Sequence, residues 1–215
     1  MQGLSAVLFD LDGTLADTAP DLGFALNALR IKAGLPELSP ESIRPRASNG
    51  VRGLLGLGFG ITPEDDAFAG LREDFLDIYT ANLCNRTRLF DGMAGLLDEM
   101  GKRGIPWGIV TNKPMRFALP LVDALGLDAG VIVGGDSCRH QKPHPEPLLY
   151  AAGKLGILPS NCVYLGDDRR DTQASLAAGM TSIVANYGYL GDGDVENWGA
   201  QGRIDHPMEL LKYLD

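Results

Sequence analysis

The sequence predicts an α/β protein, a doubly wound and mostly parallel Rossmann-like sheet carrying an inserted helical cap domain. Three observations carry this expectation. Short apolar runs alternate with helical periodicity from about Leu89 onward. An earlier run, Ala6 to Phe9, ends in two carboxylates one residue apart, Asp10 and Asp12. Between that run and Leu89 lies a long stretch with helical periodicity and almost no strand pattern.

Taken in order, Ala6-Val7-Leu8-Phe9 reads as a buried strand that delivers Asp10 and Asp12 to a sheet edge. Gly13 and Thr14 then turn the chain sharply. Residues 21–32 place Leu22, Ala25, Leu26 and Leu29 on one helical face. Residues 64–82 do the same with Phe68, Leu71, Phe75, Ile78 and Tyr79. Pro63 ahead of Glu64-Asp65-Asp66 reads as the opening of that helix, with acids in its first turn. The Gly-rich segment between them, residues 48–58, contains Gly-x-Gly but no third glycine and no preceding strand, so it is not a dinucleotide loop.

Beyond Leu89, strands are expected at 107–111, 131–133, 162–165 and 182–185, with helices at 93–102, 116–125, 146–155, 172–178 and 207–214. Parallel strands joined by crossover helices make a doubly wound sheet. The first strand joins that sheet. Residues 1–15 and 88–215 are therefore expected to form the core and 16–87 the cap, hinged at 17–20 and 86–91.

Composition narrows the partners. The chain has 215 residues, 45% hydrophobic and 22% charged, enough for one large domain or a domain with an insert. A formal charge of −9 argues against nucleic acid and anionic membrane as partners. Three cysteines, Cys84, Cys138 and Cys162, include no Cys-x-x-Cys pair and suggest a reducing compartment. No signal-peptide pattern and no apolar run near membrane-spanning length is found, so a cytoplasmic location is expected.

Asp10 and Asp12 pose an electrostatic problem. Two such charges about 4 Å apart repel by roughly 4 kcal/mol at an effective dielectric of about 20. A divalent cation, a shared proton, or both must offset this. The carboxyl ends of the other strands bring Thr111 and Asn112, then Gly134-Gly135-Asp136, then Gly166-Asp167-Asp168, while Lys142 lies in a loop just before a helix. Asp10, Asp12 and Asp167 are hard oxygen ligands suited to Mg²⁺. Thr111 and Lys142 suit phosphoryl oxygens. A carboxylate can attack phosphorus, and a second acid then serves the leaving group and the water.

Four motifs, Asp10-Leu11-Asp12-Gly13-Thr14-Leu15, Val110-Thr111-Asn112, Lys142-Pro143 and Gly166-Asp167-Asp168-x-x-Asp171, resemble the phosphatase branch of the haloacid dehalogenase superfamily in the right order. The resemblance implies Asp10 as nucleophile, Asp12 as general acid/base and Thr111 as phosphate binder. It implies that Lys142 orients nucleophile and phosphate, and that Asp167 joins Asp10 and the Asp12 backbone carbonyl on Mg²⁺. Asp168 and Asp171 stand behind these as supporting acids, and the insertion resembles a four-helix cap.

The stretch Thr111-Asn112-Lys113-Pro114 with Phe117 and Pro120, and the Tyr187-Gly188-Tyr189 segment, look like phosphoglycolate phosphatases. They look equally like the N-acetylmuramic acid 6-phosphate phosphatases of cell-wall recycling, toward which Asn197-Trp198-Gly199-Ala200 leans. The resemblance thus implies Mg²⁺-dependent hydrolysis of a small phosphorylated metabolite, by a monomer or homodimer. Phosphoglycolate comes first and the amino-sugar acid phosphate second. A β-phosphoglucomutase-like isomerase shares the frame without its cap pattern being evident here. A phospho-aspartate signalling receiver is the non-enzyme alternative, but it has neither a helical insertion nor a need for Asp12.

Several residues carry weaker signals. Arg52 and Asn112 are candidates for contacting substrate, Arg52 through the cap's Gly-rich segment, where Gly50 and Gly53 allow close backbone approach. Lys113 and Arg116 add positive field or are simply surface charges. His140 and His144, four apart, would make a zinc pair only on a helix, which Pro143 and Pro145 exclude. Asp192-Gly193-Asp194 resembles a turn without completed calcium-loop spacing.

Overall fold

A computed structural model describes residues 4–191 and 194–214; Asp192 and Gly193 of the expected turn lie outside the described residues. Six parallel strands form the main sheet: β1 (Ala6–Phe9), β4 (Trp107–Val110), β5 (Val131–Val133), β6 (Cys162–Gly166), β7 (Thr181–Ala185) and β8 (Gly202–Ile204). Their order is β5-β4-β1-β6-β7-β8, so β1 is central and the chain winds outward from it in both directions. Every β1 side chain is fully buried, as a continuous apolar run covered on both faces requires. Two further strands, β2 (Ala16–Asp17) and β3 (Arg88–Leu89), pair antiparallel in a short ribbon where the chain leaves the sheet and returns.

Between β2 and β3 run four α-helices, α1 (Ala19–Lys32), α2 (Pro40–Ile43), α3 (Gly50–Phe59) and α4 (Phe68–Ala81), with a 3-10 helix at Arg44–Asn49. They enclose their own apolar cluster, including Leu22, Leu26, Leu54, Leu55, Phe75 and Tyr79, into which Phe117 and Tyr189 reach from outside the helices. Asp21 ties the two ends of the insertion together. Its carboxylate accepts bonds from the Arg86 and Thr87 backbones at 2.9–3.1 Å and from the Thr87 hydroxyl at 2.7 Å.

The sheet is flanked by α5 (Met93–Lys102), α6 (Met115–Ala124), α7 (Glu146–Leu155) and α8 (Arg169–Ala177). The apolar residues divide into one cluster containing Val7, Phe9 and Ile109 and another containing Leu8, Val110 and Tyr164. Alternate side chains of β1 therefore feed the two sides of the sheet. Trp107 packs edge-on against Phe9, ring centroids 5.9 Å apart.

Several elements depart from expectation, each for a local reason. The helix expected from residue 64 begins at Phe68, because Asp65 folds back to accept from the Thr62 amide at 2.7 Å and its hydroxyl at 3.1 Å. That local bond competes with helical hydrogen bonding. The Gly-rich segment is helical as α3. Gly58 lies so close to Leu26 that a Cβ there would collide with it, and helix packing outweighs glycine's poor propensity. Helix α8 starts three residues earlier than expected because Asp168 and Asp171 form a reciprocal capping box. Residues 207–213 form 3-10 turns. The strand β8 and the β2-β3 ribbon are too short to show a periodic signal.

Candidate active site

Parallel strands place their carboxyl ends on one edge, and the order reverses at β1. Asp10, Thr111 and Asp167 immediately follow β1, β4 and β6 and meet at this crevice, all buried. The sharp turn after Asp10 is held by Gly13 at φ +85°, and a side chain there would run into the Asp167 carboxylate. Thr14, fully buried, donates its hydroxyl to Asp167 Oδ1 at 2.8 Å, and the Tyr189 amide donates to Oδ2 at 2.9 Å.

Lys142 is the positive centre of the site. Its ammonium lies 3.0 Å from Asp10 Oδ1 and 2.7 Å from Asp171 Oδ1, and donates to the Val110 carbonyl at 2.9 Å and the Tyr164 hydroxyl at 2.7 Å. Burial alone would lower the Lys142 pKa, but Asp10 and Asp171 reverse this and raise it. Asn112 clasps the backbone of the same residue: its amide nitrogen donates to the Lys142 carbonyl at 2.9 Å and its oxygen accepts from the Lys142 amide at 3.0 Å. Asn112, read from sequence as a substrate contact, thus commits both polar atoms to holding Lys142.

Asp10 Oδ1 also accepts from the Leu11 amide at 2.7 Å; among the described residues Oδ2 accepts no hydrogen bond. Burial pushes the Asp10 carboxyl up to about 7, with Lys142 pulling down and Asp171 and Asp12 pushing further up. Asp167 is held well above the usual carboxylate range, first by burial and then by Asp10 and Asp171. One oxygen from each of Asp10, Asp167 and Asp171 lies within 4.8 Å of the other two. Burial and mutual repulsion oppose ionising all three carboxyls beside a single ammonium, and buried oxygen donors so placed fit a hard divalent cation such as Mg²⁺ that would offset their charge.

Asp12 faces the other way. Its Oδ1 accepts from the Thr18 hydroxyl at 2.6 Å and pairs with Lys113 Nζ at 2.8 Å. Lys113 is not a surface charge: its side chain is 8% exposed and its ammonium sits 5.0 Å above the Tyr79 ring. The buried Tyr79 hydroxyl has no hydrogen-bond partner among the described residues. Neither Lys113's burial nor the Tyr79 contact is legible in the sequence, because both depend on α4 lying over the sheet edge.

The two supporting acids separate clearly. Asp171 bonds Lys142 through Oδ1 and caps α8 by accepting the Asp168 amide through Oδ2 at 3.0 Å. Asp168 instead accepts from Arg170 at 2.8 Å through both oxygens; burial opposes ionisation there, but Arg170 outweighs it and lowers the pKa. Arg170 in turn donates to the Ser48 carbonyl at 2.7 Å, linking α8 to the helical insertion.

Above these groups opens a cavity of about 420 Å³ between the sheet edge and the insertion. Asp10, Asp12, Thr111 and Lys142 line its floor, Phe75, Tyr79 and Phe117 its apolar wall. Arg52, exposed on α3, lines it together with the exposed Arg72 and Arg116. The start of the insertion is anchored beside it by Tyr189, whose hydroxyl accepts from the Thr18 and Ala19 amides at 2.7 and 2.8 Å and bonds Asp17 Oδ1 at 3.0 Å. Among the described residues, no helix is long and apolar enough to cross a membrane.

The chain is 41% identical over 215 residues to an N-acetylmuramic acid 6-phosphate phosphatase of Pseudomonas putida, covering 99% of this chain and 96% of that one. It is 43% identical over 208 residues to a phosphoglycolate phosphatase of Xanthomonas campestris, covering 95% and 94%. The crystal structure of a predicted phosphoglycolate phosphatase from Haemophilus somnus superposes with a TM-score of 0.87 at 29% identity, covering 99% and 98%. Residues 7–185 match the haloacid dehalogenase-like hydrolases. The acids that follow the central parallel strand β1 and the family match agree: the chain belongs to the haloacid dehalogenase-like hydrolase family.

Proposed function

We propose that this protein is a Mg²⁺-dependent phosphomonoesterase that works through an aspartyl phosphate on Asp10. The observation that carries this reading is Asp10 itself, with Oδ1 fixed by Lys142 and the Leu11 amide, Oδ2 accepting no hydrogen bond among the described residues, and the cavity above. Oδ2 attacks phosphorus as the bond to the leaving oxygen breaks, and Asp12 gives that oxygen a proton. Asp12 then takes a proton from water, whose oxygen attacks phosphorus and frees Asp10 with release of inorganic phosphate. Thr111 and Lys142 bind the phosphoryl oxygens and stabilise charge on the transferring group.

Mg²⁺ would be held by Asp10, Asp167 and the Asp12 backbone carbonyl, and supplies neutralisation of the anionic groups that meet there. Asp171 and Asp168 are positioning residues in this reading, Asp171 for Lys142 and Asp168 for Arg170. Residues 16–87 serve as the cap, closing the site against water and contacting the leaving group.

The substrate we propose is a small phosphomonoester with an acidic leaving group, which Arg52 contacts alongside Arg72 and Arg116. Phosphoglycolate and N-acetylmuramic acid 6-phosphate, the substrates named by the two relatives, both meet this description. The breadth of the cavity and its aromatic wall favour the sugar phosphate as the second reading. Phosphate release from both compounds and from neutral phosphomonoesters decides the matter. Faster turnover of the acidic substrates supports the proposal, and no turnover of any phosphomonoester with Mg²⁺ refutes it.

A further inference from the structure

The loop that carries Lys142 has an outer side as well as an inner one. Lys142 directs its ammonium to Asp10 and Asp171, while His140 and His144, two residues away on either side, are exposed. Pro143 and Pro145 keep this segment out of a helix, which on sequence grounds separates the two imidazoles. The structure brings them together by a turn instead. The His144 amide donates to the Gln141 carbonyl at 2.9 Å, and the two rings stack with centroids 4.2 Å apart.

A third donor closes the cluster. Glu146, the first residue of α7, bends back so that Oε2 accepts from the His140 amide at 2.9 Å and lies 2.8 Å from His140 Nδ1. The Glu146 amide donates to His144 Nδ1 at 3.2 Å. One ligand atom from each of the three side chains lies within 4.8 Å of the other two.

We propose that His140, His144 and Glu146 form a second cation site, separate from the buried carboxylates, that binds a borderline transition-metal ion such as Zn²⁺. Two neutral imidazoles and a carboxylate form a donor set that suits Zn²⁺, whereas Mg²⁺ takes oxygen. Zn²⁺ at about 2.0–2.2 Å from each ligand sets the donors roughly 3.3 Å apart in a tetrahedron, leaving a fourth position for water. The ion takes the place of the hydrogen bond between His140 Nδ1 and Glu146 Oε2, and the imidazole proton moves to the ring's other nitrogen, Nε2. Bound there, it braces the outer turn of the Lys142 loop against the start of α7.

The site does not depend on the phosphatase reading, so heat and stability measure it rather than turnover. Zn²⁺ is titrated calorimetrically into the full chain at saturating Mg²⁺, for the native protein and for His140→Ala, His144→Ala and Asp167→Asn. The native protein and Asp167→Asn are expected to bind Zn²⁺, and Zn²⁺ to raise the native melting temperature. Each histidine variant should lose more than about tenfold in that affinity and lose the thermal shift. His140 lies outside the cavity lining, and His140→Ala should retain native Mg²⁺-dependent activity. Unchanged Zn²⁺ binding in both histidine variants, or its loss in a folded Asp167→Asn, would overturn the proposal.

Discussion

Thr18 donates its hydroxyl to Asp12 Oδ1 at 2.6 Å, so the residue immediately before α1 also holds the carboxylate proposed as general acid/base. Lys113 reaches the same oxygen from the loop after β4, and the Tyr189 hydroxyl binds the Thr18 amide. The start of the helical insertion and Asp12 are thus joined by one short bond. Thr18→Val keeps the shape of the side chain and removes the donor. A hydrogen bond to a charged group contributes about 1.5–3 kcal/mol, which converts to a loss in kcat of roughly 10–100-fold. Steady-state kinetics with an unchanged circular dichroism spectrum checks this, and native kcat would separate Thr18 from the function of Asp12.

Asp10→Asn preserves the volume of the proposed nucleophile and removes its charge. Turnover should vanish while the melting temperature is retained or rises, because a buried carboxyl already raised to about 7 is costly to ionise. Residual activity above a few per cent of native would contradict the assignment of Asp10.

Magnesium affinity should depend on pH through the same group. The Asp10 carboxyl is protonated below about 7 and must lose that proton to ligate a cation. Apparent Mg²⁺ affinity therefore rises with pH and falls by about tenfold per unit below that value for one displaced proton. Without Mg²⁺ the sign for stability is opposite. A carboxyl raised from 3.8 to about 7 contributes stability at low pH that is lost as pH climbs between those two values. Thermal shifts with and without Mg²⁺ across pH 5–8 give both trends (on the order of one proton), and chelation should abolish turnover throughout.

Gly13→Ala tests the turn that follows the two aspartates. The position has φ +85°, and a methyl group there meets the Asp167 carboxylate. Strain of about 1–3 kcal/mol is expected, along with displacement of Asp167 and a large rise in the Mg²⁺ needed for activity. A Mg²⁺ titration at native values would show that the turn tolerates a side chain.

Arg52→Ala bears on the leaving group rather than on the chemistry. Arg52 lines the cavity from α3, away from Asp10's partners at Lys142 and Leu11. The variant should lose far more kcat/KM on an acidic phosphomonoester than on p-nitrophenyl phosphate. Equal losses on both would return Arg52 to the role of a solvated helix residue.

The sheet was legible wherever burial imposed a continuous pattern. Strand β1 reads directly because all four residues are apolar and enclosed on both faces, and α5 and α7 match their expected spans residue for residue. Elements set by a few contacts were not. The β2-β3 ribbon has two residues per strand, and α3 is helical because Gly58 fits against Leu26. At the candidate site, Asp10, Thr111 and Asp167 could be placed at strand ends because parallel topology fixes where strand ends go. Lys113 could not, since its burial depends on Tyr79 coming from a separate helix.

The string from Ala6 to Thr18 determines by itself that two carboxylates stand at the mouth of a buried strand, because backbone pleating and a glycine turn leave them no other place. Tertiary structure decides what each carboxylate meets. Lys142 comes to Asp10 and Asp171 across the sheet edge, while Thr18 and Lys113 turn Asp12 toward the insertion. It also decides that two histidines separated by prolines stand together with Glu146. Periodicity and motif report the neighbours of a residue along the chain, whereas Lys113 with Asp12 and Thr14 with Asp167 join residues 101 and 153 positions apart.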